Sequence, residues 1–504
     1  WPHLEKRITD MNILLITSDQ QQMDTLGILN PEIKTPNLDR LAKEGACYTR
    51  TYCPNPTCTP TRASLITGQY PSQHGAWTLG TKLPESALTL GDVLRENGYT
   101  SALVGKAHFQ PLASTEEFPS LEAYPILQDL EFWKNFKDRF YGFDSVELAR
   151  NHTDEAHVGQ HYAIWMEEKG LKDWRKYFRE PTGTKKSEDC AAWEIPEEFH
   201  YDAWIAERVN AKLEEYSQNN QPFFLWASFF DPHPDYIVPE PWFSMYPPEE
   251  LSMPDSSQME WDKLPPHFKM TQDPEADFSE YRESGYGIHG MGYHCQDINR
   301  LRKYKSAYYG MISMMDKYIG KILDKVDQLG MKEDTLIIFT SDHGHFIGEH
   351  GLCAKGPFMY EELLKVPFII RGKGIKQGIF DTMQSLVDFA PSILDSLGIN
   401  VPRVMTGISQ YPVWCGQKES VRDHIICEHH HEPNSINVRT YVDERYKITI
   451  YQGHDYGEIY DLKNDSGENH NLWENVELRA ELLLKYASAE LEKEVRWMPR
   501  IAVA

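Results

Sequence analysis

Cysteine is sparse and unpatterned: eight thiols in 504 residues, with no CxxC pair and no regular spacing. That excludes a disulfide scaffold and a structural zinc site, and it fits thiols kept reduced. Positive charge is the second shortage. With 51 Lys and Arg against 76 Asp and Glu, the formal net charge is −25, a field that repels phosphate backbones and anionic headgroups and excludes nucleic acid as a partner. Long apolar runs are missing too. The longest, such as those at 13–16 and 336–339, fall far short of the ~20 residues that cross a bilayer. There is no internal repeat and no low-complexity tract.

What is present, 40% hydrophobic and 12% aromatic residues, describes a globular chain able to bury a large core, long enough for two units. Short apolar runs alternate with amphipathic helical patterns, which predicts an α/β fold: a large mixed, mostly parallel sheet sandwiched by helices. Strands are predicted at 12–17, 101–104, 223–228, 335–340 and 368–371, and helices at 38–44, from Pro60 to Gly68, after Thr89, and along stripes through Tyr201 to Leu213 and Tyr304 to Val326. Segments 110–198 and 234–299 break the alternation and predict long surface excursions. Beyond about residue 405 the pattern changes to a small antiparallel sheet (425–427, 446–451, 458–461) and a closing helix (478–495). The expected organisation is a catalytic domain over 11–405 and a C-terminal α+β subdomain over 406–504, preceded by a cloning or processing remnant over 1–10. With Met11 as the start, a cytoplasmic protein is expected; a leader removed upstream would make it periplasmic.

Four predicted strands run into polar residues: Asp19-Gln20, Lys106-Ala107-His108, Asp231-Pro232-His233 and Asp342-His343. Ligands bind at the carboxyl ends of parallel strands. Asp19, Gln20, Asp342 and His343 offer carboxylate, amide and imidazole atoms for one divalent cation; the oxygens favour Ca²⁺ or Mg²⁺, and the imidazole admits Mn²⁺. Lys106, His108, His233 and Lys355 supply positive groups for a tetrahedral oxyanion. Cys58, in Cys58-Thr59-Pro60-Thr61-Arg62, reads either as a buried thiol or as a thiolate activated by a helix N-terminus and Arg62.

The Cys-x-Pro-x-Arg run, Gly105-Lys106-x-His108, Asp231-Pro232-His233, and Ser341-Asp342-His343-Gly344 with Gly348-Glu349-His350-Gly351, in this order, resemble the formylglycine-dependent sulfatases of the alkaline phosphatase superfamily. The likeness spans about 11–372, and 457–472 is similar to that family's C-terminal subdomain. The resemblance implies an alkaline phosphatase-like fold. It implies that a formylglycine-generating or anaerobic sulfatase-maturating enzyme oxidises Cys58 to formylglycine, whose hydrate, held on the metal and by Arg62, attacks the sulfur of a sugar, aryl or alkyl sulfate monoester. Lys106 would bridge hydrate and sulfate, His108 would accept the proton of the elimination, and His233 with Lys355 would bind sulfate oxygens and protonate the leaving alcohol. Gln20 stands where most sulfatases carry a carboxylate, and His343 where most carry Asn. These departures resemble the branch of phosphonate monoester hydrolases and choline sulfatases, so phosphonate monoester or phosphodiester hydrolysis is the alternative activity. An oxyanion-binding protein with unconverted Cys58 is a third reading. His430 and Arg439 are expected to line the substrate cleft. Nothing in the sequence sets the oligomeric state.

Overall fold

The structure is a computed structural model and describes residues 11–180, 189–219, 221–281, 290–292, 294–431, 436–495, 498 and 501. The expected remnant, residues 1–10, lies outside them. The central sheet contains β1 (Asn12–Ser18), β2 (Ala46–Tyr52), β3 (Thr100–Lys106), β4 (Ser145–Ala149), β5 (Phe223–Ser228), β6 (Thr335–Ser341), β7 (Lys365–Arg371) and β8 (Gly378–Phe380). Their order is β8-β2-β7-β6-β1-β5-β3-β4, and Gln384–Ser385 adds a ninth strand beside β2. From β6 to β4 all neighbours are parallel, whereas β7 runs antiparallel to both β6 and β2.

The sheet is buried on both faces: in β1, Ile13 and Leu15 join one core and Leu14 and Ile16 the other. A parallel strand of this kind has no polar face, which is why it reads as an unbroken apolar run. Helix α1 (Pro36–Glu44) starts on its proline, and α2 (Cys58–Thr67) carries Pro60 in its first turn and ends on Gly68 in the left-handed conformation (φ 62°). Pro lacks the N–H that a first turn leaves unpaired, and Gly takes positive φ without strain. Helix α3 (Tyr201–Asn219) and helix α4 (Ile298–Gln328) bury their predicted stripes, Asp297 capping α4 through the N–H groups of Asn299 and Arg300. Side chains of α1, α3 and α4 pack into one core and Ala63, Leu65 and Ile66 of α2 into the other, so helices cover both faces. The chain ends in a four-stranded antiparallel sheet (Ile425–His431, Ile436–Val442, Tyr446–Tyr451, Gly457–Asp461) covered by the helix Val476–Glu492.

One expectation needs correction. Segment 110–198 is not a plain excursion: it holds β4 and the helices Leu130–Asn135 and Gln160–Glu168. As an edge strand, β4 (Ser-Val-Glu-Leu-Ala) keeps two residues partly exposed, so it lacks the apolar run of its buried neighbours. Segment 234–299 is nearer expectation, with only short elements before α4. No helix among the described residues is long and apolar enough to cross a membrane.

Candidate active site

Parallel pairing of β6, β1, β5 and β3 sets their carboxyl ends side by side. Asp19 leaves β1, Lys106 ends β3, Asp231 follows β5, and Asp342 follows β6. Asp19 donates its backbone N–H to the carbonyl of Asp231 (3.1 Å), and Gln20, held at φ 65°, donates its own to Asp342 Oδ1 (2.9 Å).

Cys58 opens α2 at the centre of this edge. The preceding turn is tied twice. Asn55 Oδ1 accepts from the Thr57 N–H (2.9 Å) and hydroxyl (2.6 Å), and Thr61 donates to the Asn55 carbonyl (2.6 Å). The C-terminal sheet then clamps it: Glu428 donates its N–H to the Pro54 carbonyl (2.7 Å), and Asn55 Nδ2 donates to the Glu428 carbonyl (2.6 Å). Every residue of α2 is buried.

Cys58 Sγ lies 3.2 Å from His343 Nε2, 3.3 Å from Lys355 Nζ and 3.6 Å from Asp19 Oδ1. Burial and the Asp19 charge push the thiol up, but Lys106 and Lys355 outweigh them and bring it down to about 7. Burial would likewise raise the Asp19 carboxyl; Lys106, His233 and His152 hold it well below the usual carboxylate range. Lys106 Nζ donates to Asp19 Oδ2. Arg62, 1% exposed, is fixed by Nε on Asp342 Oδ2 (2.8 Å) and Nη1 on the Ser228 hydroxyl (2.8 Å) and the Lys106 carbonyl (3.0 Å), while its buried Nη2 has no partner.

Ligand atoms of Asp19, Cys58, Asp342 and His343 all lie within 4.8 Å of one another. His343 Nδ1 donates to the Gly344 carbonyl (2.9 Å), which turns the Nε2 lone pair toward Cys58, and Gln20 Oε1 is buried with no partner. Carboxylates, an orphaned amide oxygen and one imidazole lone pair fit a hard divalent cation.

On the other side of Cys58, His233 Nδ1 donates to the Pro234 carbonyl (2.5 Å), and Nε2 faces Lys355 Nζ at 3.2 Å. His108 leaves β3 at φ 59° with its Nδ1 buried and unpartnered; burial first, then the charges of Arg150 and Lys106, keep its imidazole far below the ordinary value and hence neutral. Behind Asp231, Tyr201 donates to its carboxylate, and Asp202 lies buried beside it, 3.8 Å from Nδ1 of His200, whose imidazole burial pushes down to about 3. Burial and the Asp231 charge raise the Asp202 carboxyl well above its usual range, while burial and the Asp19 charge lift Asp231 to about 7 against the hydrogen bonds from Tyr201 and Asp202.

All ten residues expected at the cluster, Asp19, Gln20, Cys58, Arg62, Lys106, His108, His233, Asp342, His343 and Lys355, gather at these strand ends. His430 and Arg439 lie together on the C-terminal sheet, where with Pro71, Ser72, Trp77 and Glu428 they line a cavity of about 260 Å³. Sequence reading missed His152. Its Nε2 sits 2.8 Å from Lys106 Nζ and 3.3 Å from Asp19 Oδ2, its Nδ1 lies 3.1 Å from Glu155 Oε2, and its ring stacks on His233 at 3.7 Å and 14°. The available signal was a fifth strand ending in polar residues, Ala149-Arg150-Asn151-His152.

The profile of the family described as Sulfatase matches residues 11–399, and that of the N-sulphoglucosamine sulphohydrolase C-terminal region matches 348–494. The chain is 28% identical over 511 residues to an arylsulfatase of Clostridium perfringens (95% of this chain, 94% of that protein). It is 28% identical over 480 residues to a choline-sulfatase of Rhizobium meliloti (92% and 82%). The solved structure of a phosphonate monoester hydrolase of Agrobacterium radiobacter is similar with a TM-score of 0.76 at 25% identity, over 96% of this chain and 95% of that one.

Proposed function

Because the chain belongs to the sulfatase family and is a sulfuric ester hydrolase, we propose that it cleaves a sugar, aryl or alkyl sulfate monoester at the Cys58 cluster. In this reading Cys58 is converted to formylglycine, and one divalent cation, Ca²⁺ by preference over Mg²⁺ or Mn²⁺, is held by Asp19, Gln20, Asp342 and His343. The formylglycine hydrate would supply the nucleophilic oxygen, and the bound cation would supply a fixed positive charge to stabilise the negative charge of the reacting groups.

The chain's own residues do the rest. Arg62, locked on three acceptors, has Nη2 left for the Cys58 side chain or a sulfate oxygen. Lys106 and Lys355 flank the same position, where preorganised charges act without reorganisation. His233 Nε2 and Lys355 Nζ, 3.2 Å apart, share the proton that the departing alcohol takes. His108, held neutral, accepts the proton released when the aldehyde re-forms. His430 and Arg439 contact the organic half of the ester from their cavity, which adjoins the Cys58 turn through Glu428.

The observation that carries the proposal is Lys355 Nζ reaching both Cys58 and His233. Peptide mass spectrometry across Cys58, on protein co-expressed with a formylglycine-generating enzyme, tests it: the aldehyde mass and turnover lost in Cys58→Ala are expected. Aldehyde with no turnover of any sulfate ester would refute it. Phosphonate monoester hydrolysis is the second reading, favoured by the Gln20 and His343 ligand positions and by the fold likeness to the phosphonate monoester hydrolase. The ratio of kcat/KM on matched aryl sulfates and aryl phosphonate monoesters decides between them.

A further inference from the structure

The segment after β4 holds a positive group that the chemistry above leaves unused. Ala149 pairs with Lys106 across β4 and β3, so Arg150 leaves the sheet one residue beyond the level of Lys106, at the edge where Asp19 and Asp342 gather. Arg150 is 4% exposed, and its Nε has no partner. Its guanidinium makes no hydrogen bond or ion pair among the described residues. Glu122, which its charge reaches, and the acidic residues next along the chain are committed elsewhere: Glu122 accepts the backbone N–H groups of His108 (2.8 Å) and Gln110 (2.7 Å), Glu155 holds His152 (3.1 Å), and Asp154 pairs with Arg179 (3.0 Å). Its charge still reaches the site. After burial, Arg150 is the strongest influence keeping His108 neutral and the strongest opposing the rise that burial imposes on Glu122.

A guanidinium stays charged at this depth and presents a planar fork of donors that matches an oxyanion bidentately. Arg62 shows the ordinary solution here, with three N–H contacts to oxygen; Arg150 has none among the described residues. We infer that Arg150 receives a second anionic group, a carboxylate or a further sulfate, on the organic part of the ester. The substrate is then an acidic sulfate ester, such as a sulfated sugar acid or a multiply sulfated sugar, and neutral alkyl and aryl sulfates are poor surrogates. The inference rests on the sulfatase reading above and narrows it. Against a net charge of −25, Arg150 then adds to the positive charge that Arg62, Lys106 and Lys355 bring to the Cys58 cluster.

The test uses matched pairs that differ by one charge: ortho-, meta- and para-carboxyphenyl sulfates, and 2- and 3-sulfates of a methyl hexuronide, each beside its neutral methyl ester. Conversion of Cys58 is verified by mass. The expected result is that wild type prefers at least one acidic member about 10- to 100-fold in kcat/KM, the range of a hydrogen-bonded charge pair. Arg150→Gln should collapse that ratio through KM on the acidic member, Arg150→Lys should keep part of it, and a second sulfate in place of the carboxylate separates the two anion sources. Wild-type turnover without preference for any acidic member overturns the inference and leaves the sulfatase reading standing. Equal losses on both members of each pair in Arg150→Gln also overturn it, and assign Arg150 to supporting His108 and Glu122. No turnover of any sulfate ester by fully converted wild type overturns the reading on which the inference rests.

Discussion

His152 joins the two halves of the cluster, and its removal should fail different substrates to different degrees. It touches Lys106 and Asp19 through Nε2 and covers His233 with its ring. His152→Ala deletes both roles, while His152→Phe keeps a ring over His233 and deletes only the nitrogens. Loss of the Lys106 and Asp19 contacts affects every substrate alike, because those groups face the sulfate end. A misplaced His233 matters only where the leaving oxygen needs a proton. A positioned general acid contributes about 10²- to 10⁴-fold, and 4-nitrophenolate departs without one. Misplacing a catalytic group by about 1 Å costs on the order of 10². His152→Ala should therefore lower kcat/KM about 10-fold on 4-nitrophenyl sulfate and about 10³-fold on an alkyl or sugar sulfate, the extra factor of about 10² being lost proton transfer. His152→Phe should recover the extra factor and not the common one. The assay is kcat/KM across a leaving-group series from 4-nitrophenol to an alkyl alcohol, with conversion of Cys58 verified for each variant. A uniform loss across the series, or a Phe variant that matches Ala, would refute the coupling of His152 to His233.

Two further outcomes are expected. Asp231 is raised to about 7 beside Asp202, and a carboxyl raised on folding stabilises fully below its unfolded pKa of about 4 and loses that contribution as pH climbs through the folded value. Asp202→Asn removes a carboxyl that burial and the Asp231 charge hold well above its usual range, and keeps a donor for Asp231, so Tm should fall less between pH 5 and pH 8 than in wild type; parallel falls would disprove the pairing. Ca²⁺ at ~100 times its Kd should stabilise the fold by about 2.7 kcal/mol if it binds only the native state. Asp342→Asn should abolish that gain, and a calcium-titrated unfolding midpoint that ignores the substitution would place the ion elsewhere.

The sheet's centre and most of the site were legible because one physical cause produces both signals. Strands buried on both faces read as apolar runs, and where they end the polar residues stand out, as at Asp19, Lys106, Asp231 and Asp342. β2 (Ala-Cys-Tyr-Thr-Arg-Thr-Tyr) escaped because it mixes Thr and Arg with apolar residues, and Ile436–Val442, missed for the same reason, alternates half-buried polar residues with buried apolar ones. β4 escaped as an edge strand, and Arg150 and His152 escaped with it. Their place is set by pairing between Ala149 and Lys106, a contact that no local pattern announces. Glu428 belongs to the same class, since its backbone meets Pro54 and Asn55 across 373 positions.

That clamp has a bearing on timing. A chain made from its N-terminus exposes the Cys58 turn long before residue 428 exists, and at ~5–20 residues per second the interval is roughly 20–75 s. During it the Asn55 amide lacks its final acceptor, and the strand that covers the turn has not been synthesised. Once the C-terminal sheet docks, α2 is buried along its whole length. On the proposed reading, oxidation of Cys58 by a second enzyme would compete with the completion of the chain, and slow translation of residues 60–425 would favour conversion without any change in the finished protein.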